Sequence, residues 1–205
     1  MKPLALFGLA AAAVVVLSAG AASLAQTPSS NPDAAKFDAQ GHFLPPADYR
    51  EWVLLSSGLD MSYTDAPGAA DHHMFDNTFV PRTAYDAFKR DGKWPNGTVI
   101  MLEIRGGSDK GSIIKHGLYQ TGDVMGLEAH VKDEARFKGG WGFFGVSGVK
   151  PATMLPYTVA CYACHQDHAA ADTTFVQFYP TLLPVATKLG TLSAKYLAEE
   201  KAAKP

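Results

Sequence analysis

Residues 98–105 read Thr98-Val99-Ile100-Met101-Leu102-Glu103-Ile104-Arg105, and residues 123–132 read Asp123-Val124-Met125-Gly126-Leu127-Glu128-Ala129-His130-Val131-Lys132. Successive side chains of a strand point to opposite faces, so a two-residue period marks a strand and a 3.6-residue period a helix. In the first stretch Thr98, Ile100, Leu102 and Ile104 share one face, and Val99, Met101, Glu103 and Arg105 the other. In the second, Met125, Leu127, Ala129 and Val131 fall together, opposite Glu128 and His130. Both stretches therefore predict strands. Shorter strands are expected over 51–59 and 78–80. A further one, over 141–149, is aromatic and Gly-rich, a composition that suits close packing against something flat.

Helices are expected around these. Residues 82–91 place Tyr85 and Phe88 at i, i+3, with Gly92 as the stop. A second helix should span about 157–170. Asp172 is placed as the N-cap of a third that carries Phe175, Phe178, Tyr179 and Leu182, with a kink at Pro180. The Ala/Lys/Glu-rich stretch 192–204 predicts a solvated helix. Strands fill the middle and helices the end. The expected class is α+β, a mainly antiparallel sheet with C-terminal helices.

The second of those helices contains Cys161-Tyr162-Ala163-Cys164-His165, and these are the only cysteines in 205 residues. C-x-x-C-H is the attachment motif of a c-type haem. Two intervening residues put both sulfurs on one face of a helix, where each reaches one edge of a porphyrin, and His165 then faces the iron. Three other readings compete. A thioredoxin-like pair usually sits early, after a strand, and needs no following His. A zinc site would ask two neighbours, Cys164 and His165, to reach one tetrahedral ion. A disulfide between near neighbours would constrain little.

The termini bear on the compartment. Lys2 precedes an uncharged apolar run to about Ala22, and Ser23 and Ala25 suit a signal-peptidase site with Gln26 as the new N-terminus. The expectation is a signal peptide over 1–25 and a periplasmic protein; a membrane anchor is the alternative, because the run is long enough to span. Residues 26–41 are Ser/Pro/Asp-rich and read as a flexible leader. Residues 42–190 fit one haem domain, followed by a helical tail over 191–205. A formal charge of −2 offers no basic stripe, which argues against a nucleic-acid partner.

Several blocks together resemble the cytochrome P-460 family, which includes the β-sheet cytochromes c′. They are Tyr49-Arg50-Glu51-Trp52, the Tyr85-containing helix, Trp94-Pro95-Asn96-Gly97-Thr98, Gly126-Leu127-Glu128-Ala129, Val131-Lys132-Asp133, Gly140-Trp141-Gly142-Phe143-Phe144, Cys161 to His165, and Asp172 to Pro180. The resemblance runs from about Tyr49 to Leu182. It implies a mainly antiparallel β fold, a homodimer, and one five-coordinate haem c with His165 as proximal ligand. The distal side would be open to a small gaseous or nitrogenous ligand. Family members with the P-460 chromophore oxidise hydroxylamine; the c′-beta members bind nitric oxide and carbon monoxide. A redox partner protein is a further implication.

In the enzymes of that family a lysine is bonded to the porphyrin edge, and the matching position here is Leu102. Leucine forms no such bond, which argues against hydroxylamine oxidation; Lys110 or Lys115 would have to act from a loop. Glu128 matches a distal glutamate that relays protons, although strand alternation also allows it a solvent-facing role. Phe75 is expected to pack over the haem. His72, His73 or Met74 would have to close the sixth position if the protein were a pure electron carrier. His168 is expected to make a structural hydrogen bond, His116 and His130 show no partner pattern, and Arg50 and Arg105 are candidates to pair with propionates.

Overall fold

The computed structural model describes residues 31–63 and 73–203. The expected signal peptide, the start of the leader and His72 lie outside these residues. Among the described residues no helix is long and apolar enough to cross a membrane.

Five strands form one antiparallel sheet in chain order: β3 (Val53–Leu59), β4 (Met74–Val80), β5 (Val99–Ser108), β6 (Tyr119–Lys132) and β7 (Trp141–Gly145). A two-stranded hairpin, β1 (Lys36–Phe37) and β2 (Phe43–Leu44), precedes them. Helices α1 (Arg82–Asp91), α2 (Ala160–His168), α3 (Leu183–Leu189) and α4 (Ala194–Ala203) complete an α+β chain whose helices are mostly C-terminal. In α1 the buried residues Ala84, Ala87 and Phe88 recur at the helical period, and Gly92 ends it at φ 67° with its N–H on the Phe88 carbonyl.

Both faces of the sheet are covered. One face packs Ile100 with Phe88, Trp94, Leu182 and Ala186. The other packs Val99, Met101, Ala129 and Val131 against Phe43, Phe137 and Phe144. Of residues 31–41, read from composition as the end of a leader, Ala35 and Phe37 pack against this second core. Phe37 meets Phe43 edge-on at 6.0 Å, and Phe43 exchanges backbone hydrogen bonds with Ala152. A few aromatic side chains outweigh a polar composition.

Element boundaries differ from the sequence expectation for local reasons. Residues 49–51 form a 3-10 turn, so β3 starts at Val53. Strand β4 is longer than 78–80 because it is paired on both sides, and Asp76 and Asn77 disguise it as a loop. Asp172 caps no helix. It lies at φ 47°, in a tight turn, and only a 3-10 turn (Val176–Phe178) separates it from α3.

The odd-numbered face of β5 also carries charge. Glu103 is 1% exposed, and its carboxylate accepts hydrogen bonds from the Tyr49 hydroxyl, from Arg50 Nε at 2.7 Å and from Arg105 Nε at 2.5 Å. Burial alone would raise the Glu103 carboxyl, but hydrogen bonds from Arg105, Tyr49 and Arg50 outweigh it and hold it below the ordinary range. Burial, reinforced by Glu103, pushes the Tyr49 phenol up to about 12. Arg50 and Arg105 are thus committed to Glu103, on the face away from the site described next, and are not placed to pair with propionates.

Candidate functional site

The even-numbered face of the sheet forms one wall of a cavity of about 470 Å³, and α2 with the chain after it forms the other. The wall carries Asp76 and Thr78 from β4, Ile100, Leu102 and Ile104 from β5, and Glu128 and His130 from β6. Register explains the grouping: Leu102 is paired with Thr78 on one side and Glu128 on the other, so these side chains share a face. The opposite wall carries Cys161, Cys164, His165 and Phe175. Leu102, Glu128, Cys161, Cys164 and His165 are therefore brought around one space.

Phe75 is not brought there. It is adjacent to Asp76 in β4 and paired with Arg105, so it falls on the opposite face. The aromatic against the site is Phe175, whose ring lies 4.2 Å from that of His165. His73 is also turned to other use, its Nδ1 2.6 Å from Asp60 Oδ2, whereas Met74 lines the cavity. His168 pairs with Glu199 at 2.5 Å. Lys110 and Lys115 are exposed in the β5–β6 connection, and no lysine is among the described residues that line the cavity.

His165 is the most constrained side chain of the site. Its Nδ1 lies 2.9 Å from the Thr173 carbonyl. A carbonyl only accepts, so Nδ1 must carry the proton and Nε2 the lone pair. Burial lowers the pKa of His165, which favours the neutral imidazole a metal requires. The ring is boxed by Phe175, by Phe143 at 4.8 Å and by His130 edge-on at 4.7 Å. Both thiols are free, and Cys161 and Cys164 stand on the same helix as His165. Two free thiols, an imidazole with one nitrogen committed and the other available, and an apolar wall opposite fit a porphyrin attached along one edge. Among the described residues no three His, Cys, Asp or Glu side chains converge as a cation site.

The sheet wall is apolar at Ile100, Leu102 and Ile104 but bears two carboxyls. Burial, and then the neighbouring Asp76 charge, raise the pKa of Glu128. Burial, and then Asp60, raise that of Asp76. His130 is held neutral, first by burial and then by His165. Asp76 and His130 escaped the sequence reading for different reasons. Asp76 sits in a strand that lacks an apolar alternation, and His130 has no motif partner in the linear chain. The register with Leu102 and Glu128 is the signal that finds them.

The model of the family described as Cytochrome P460 matches residues 46–176, which include the sheet wall, both cysteines, His165 and Phe175. The chain belongs to the cytochrome P460 family. Membership makes it a haem cytochrome, and the matched segment ends within the 3-10 turn that follows Phe175. No curated protein matches the chain.

Proposed function

We propose that this cytochrome P460 family member is an exported monohaem c protein that binds small ligands, nitric oxide foremost, without a lysine–haem cross-link. Cys161 and Cys164 would hold the haem through thioether bonds, and His165 Nε2 would bind its iron. The haem would supply an iron able to take a diatomic or nitrogenous ligand. The observation that carries the reading is Leu102: an alkyl side chain stands in the sheet wall where the cross-linking lysine of the hydroxylamine-oxidising relatives is expected, and no described lysine lines the cavity. Around the ligand, Ile100 and Ile104 exclude water, and Glu128, with its raised pKa, can hold a proton towards the cavity.

A second reading, an oxidoreductase of hydroxylamine or nitric oxide, is favoured by the carboxyl pair Asp76 and Glu128, which could deliver protons to a reacting nitrogen species. A third, an electron carrier, would use Met74 as the sixth ligand. An optical spectrum of the mature protein with and without nitric oxide separates the three. The expected result is an ordinary c-type five-coordinate spectrum that shifts with the ligand. A strongly red-shifted Soret band would reveal a cross-link and defeat the argument from Leu102; a six-coordinate spectrum indifferent to nitric oxide would favour the carrier. For export with cleavage of the signal, the expected intact mass is that of a chain starting at Gln26, and a mass that retains residues 1–25 would favour the anchor. A homodimer is part of the same proposal, and the expected result is twice the monomer mass in sedimentation.

A further inference from the structure

Asp172 and Thr173 sit at φ 47° and 58°, a conformation that residues with a side chain rarely adopt and that persists only where the surroundings hold it. The two lie at the centre of a tight turn. The Thr174 N–H donates to the Ala171 carbonyl at 2.9 Å, and the Ala171 N–H returns the bond at 3.3 Å. Two successive positive φ values define a turn that ordinarily recruits Asn-Gly or Asp-Gly, and here Thr173 stands where glycine is favoured. The turn is therefore strained.

The surroundings that hold it are specific. One carboxylate oxygen of Asp172 accepts from the Trp94 backbone N–H at 2.9 Å and from the Lys132 ammonium at 2.7 Å. Lys132 Nζ donates as well to the Trp94 carbonyl at 2.9 Å. The indole N–H of Trp94 donates to Thr174 Oγ1 at 2.8 Å, and that hydroxyl donates to the Ala171 carbonyl at 2.7 Å. Lys132, at the end of β6, is only 6% exposed; its ammonium pairs with Asp172 at 2.7 Å and, more loosely, with Glu134 at 3.4 Å, which is exposed. Every anchor comes from the sheet or from the chain after α1; none comes from α2. The Thr173 carbonyl that this turn supplies is the acceptor of His165 Nδ1–H.

We propose that Lys132, Asp172 and Trp94 form a clamp that positions the axial imidazole from behind. The clamp fixes the tautomer, the ring orientation and the donor strength of His165 by holding one carbonyl in place. These are positioning residues, remote from the ligand side of the cavity, and the proposal rests on the reading of His165 as the iron ligand. A hydrogen bond to Nδ1–H makes the imidazole a stronger donor and favours the ferric over the ferrous state. Loss of the clamp should act in the opposite direction.

The test compares the purified holoprotein with Asp172→Ala, Asp172→Asn and Lys132→Met. Three quantities are read: covalent haem per chain, the iron–histidine stretching frequency of the reduced protein, and the midpoint potential. Asp172→Ala removes both anchors and leaves alanine at positive φ. Its stretching frequency should fall and its potential should rise, by about 59 mV for a tenfold loss of ferric preference. Asp172→Asn keeps an oxygen for the Trp94 N–H and tolerates the left-handed conformation but removes the charge that pairs with Lys132, so it should fall between wild type and Asp172→Ala. Lys132→Met should move both quantities in the same direction as Asp172→Ala but less far, and it serves if the alanine variant does not fold. Unchanged frequency and potential in a folded Asp172→Ala or in Lys132→Met, whatever their melting temperatures, overturn the clamp. A wild-type protein without covalent haem overturns the underlying reading of the site, and that failure is visible in the first measurement alone.

Discussion

At the scale of single residues, the pair Asp76 and Glu128 carries the chemistry that the cavity can do for itself. Both carboxyls have raised pKa values through burial, and Asp76 adds its charge to the field at Glu128. The interaction has a direction that can be measured. Asp76→Asn removes the neighbouring charge, so the Glu128 carboxyl should titrate at lower pH. Glu128→Gln should abolish that titration altogether. A pH series of the spectrum of the nitric oxide adduct checks both. A transition that Asp76→Asn leaves in place would mean that the two side chains do not sense each other. Glu128 is legible in the sequence as part of Gly126-Leu127-Glu128-Ala129. Asp76 is not, because a carboxylate in a segment with Asn77 and Thr78 looks like loop until two flanking strands pair with it.

At the scale of elements, the two faces of β5 have opposite duties. Its even-numbered residues wall the cavity, while Glu103, on the odd face, is closed in by Tyr49, Arg50 and Arg105. Alternation put Glu103 on the same face as Val99 and Met101, yet it gives no reason for a carboxylate to be buried there. That reason is tertiary, since Tyr49 and Arg50 arrive from a segment that precedes β3. Glu103→Ala would leave Arg105 and Tyr49 without their acceptor and should cost about 3–5 kcal/mol in denaturant unfolding. Glu103→Gln, which retains an acceptor, should cost less. The hairpin β1–β2 is tested in the same way. Phe43 is fully buried against Phe144, with ring centroids 5.1 Å apart, and Phe43→Ala should cost about 3–5 kcal/mol. A loss of only a few tenths would show that the segment is a dispensable leader after all.

For the molecule as a whole, these groups give stability a pH dependence with two signs. The Glu103 carboxyl is depressed, so its contribution is present above the ordinary glutamate range and is lost as pH falls through the depressed value. Asp76 and Glu128 are raised, so the folded state holds protons that the unfolded state has released; stability falls as pH rises from the ordinary carboxyl range to the raised values. A melting-temperature profile should therefore fall on the acid side in wild type. The fall on the alkaline side of the carboxyl range should flatten in the Asp76→Asn, Glu128→Gln double variant. If the double variant retains the wild-type slope there, the cavity carboxyls are not the groups responsible.

The linear chain determined what depends on neighbours along it. C-x-x-C-H needs its spacing and no more, and the two-residue alternation of β5 and β6 depends on steric facts local to a strand. Helix α1 was equally plain, because its period and Gly92 both lie within one short segment. Tertiary structure alone decided which residues face His165. The register brings Asp76, Leu102, Glu128 and His130 onto one wall, sends Phe75 to the other face, and leaves Phe175 to pack at a tilt against the imidazole. It also turned Asp172 from an expected helix cap into the anchor of a strained turn, because its partners, Lys132 and Trp94, lie far away in sequence. Local preference is set by each residue's own backbone and side chain, whereas a binding site is set by contacts between segments that meet only once the sheet has formed.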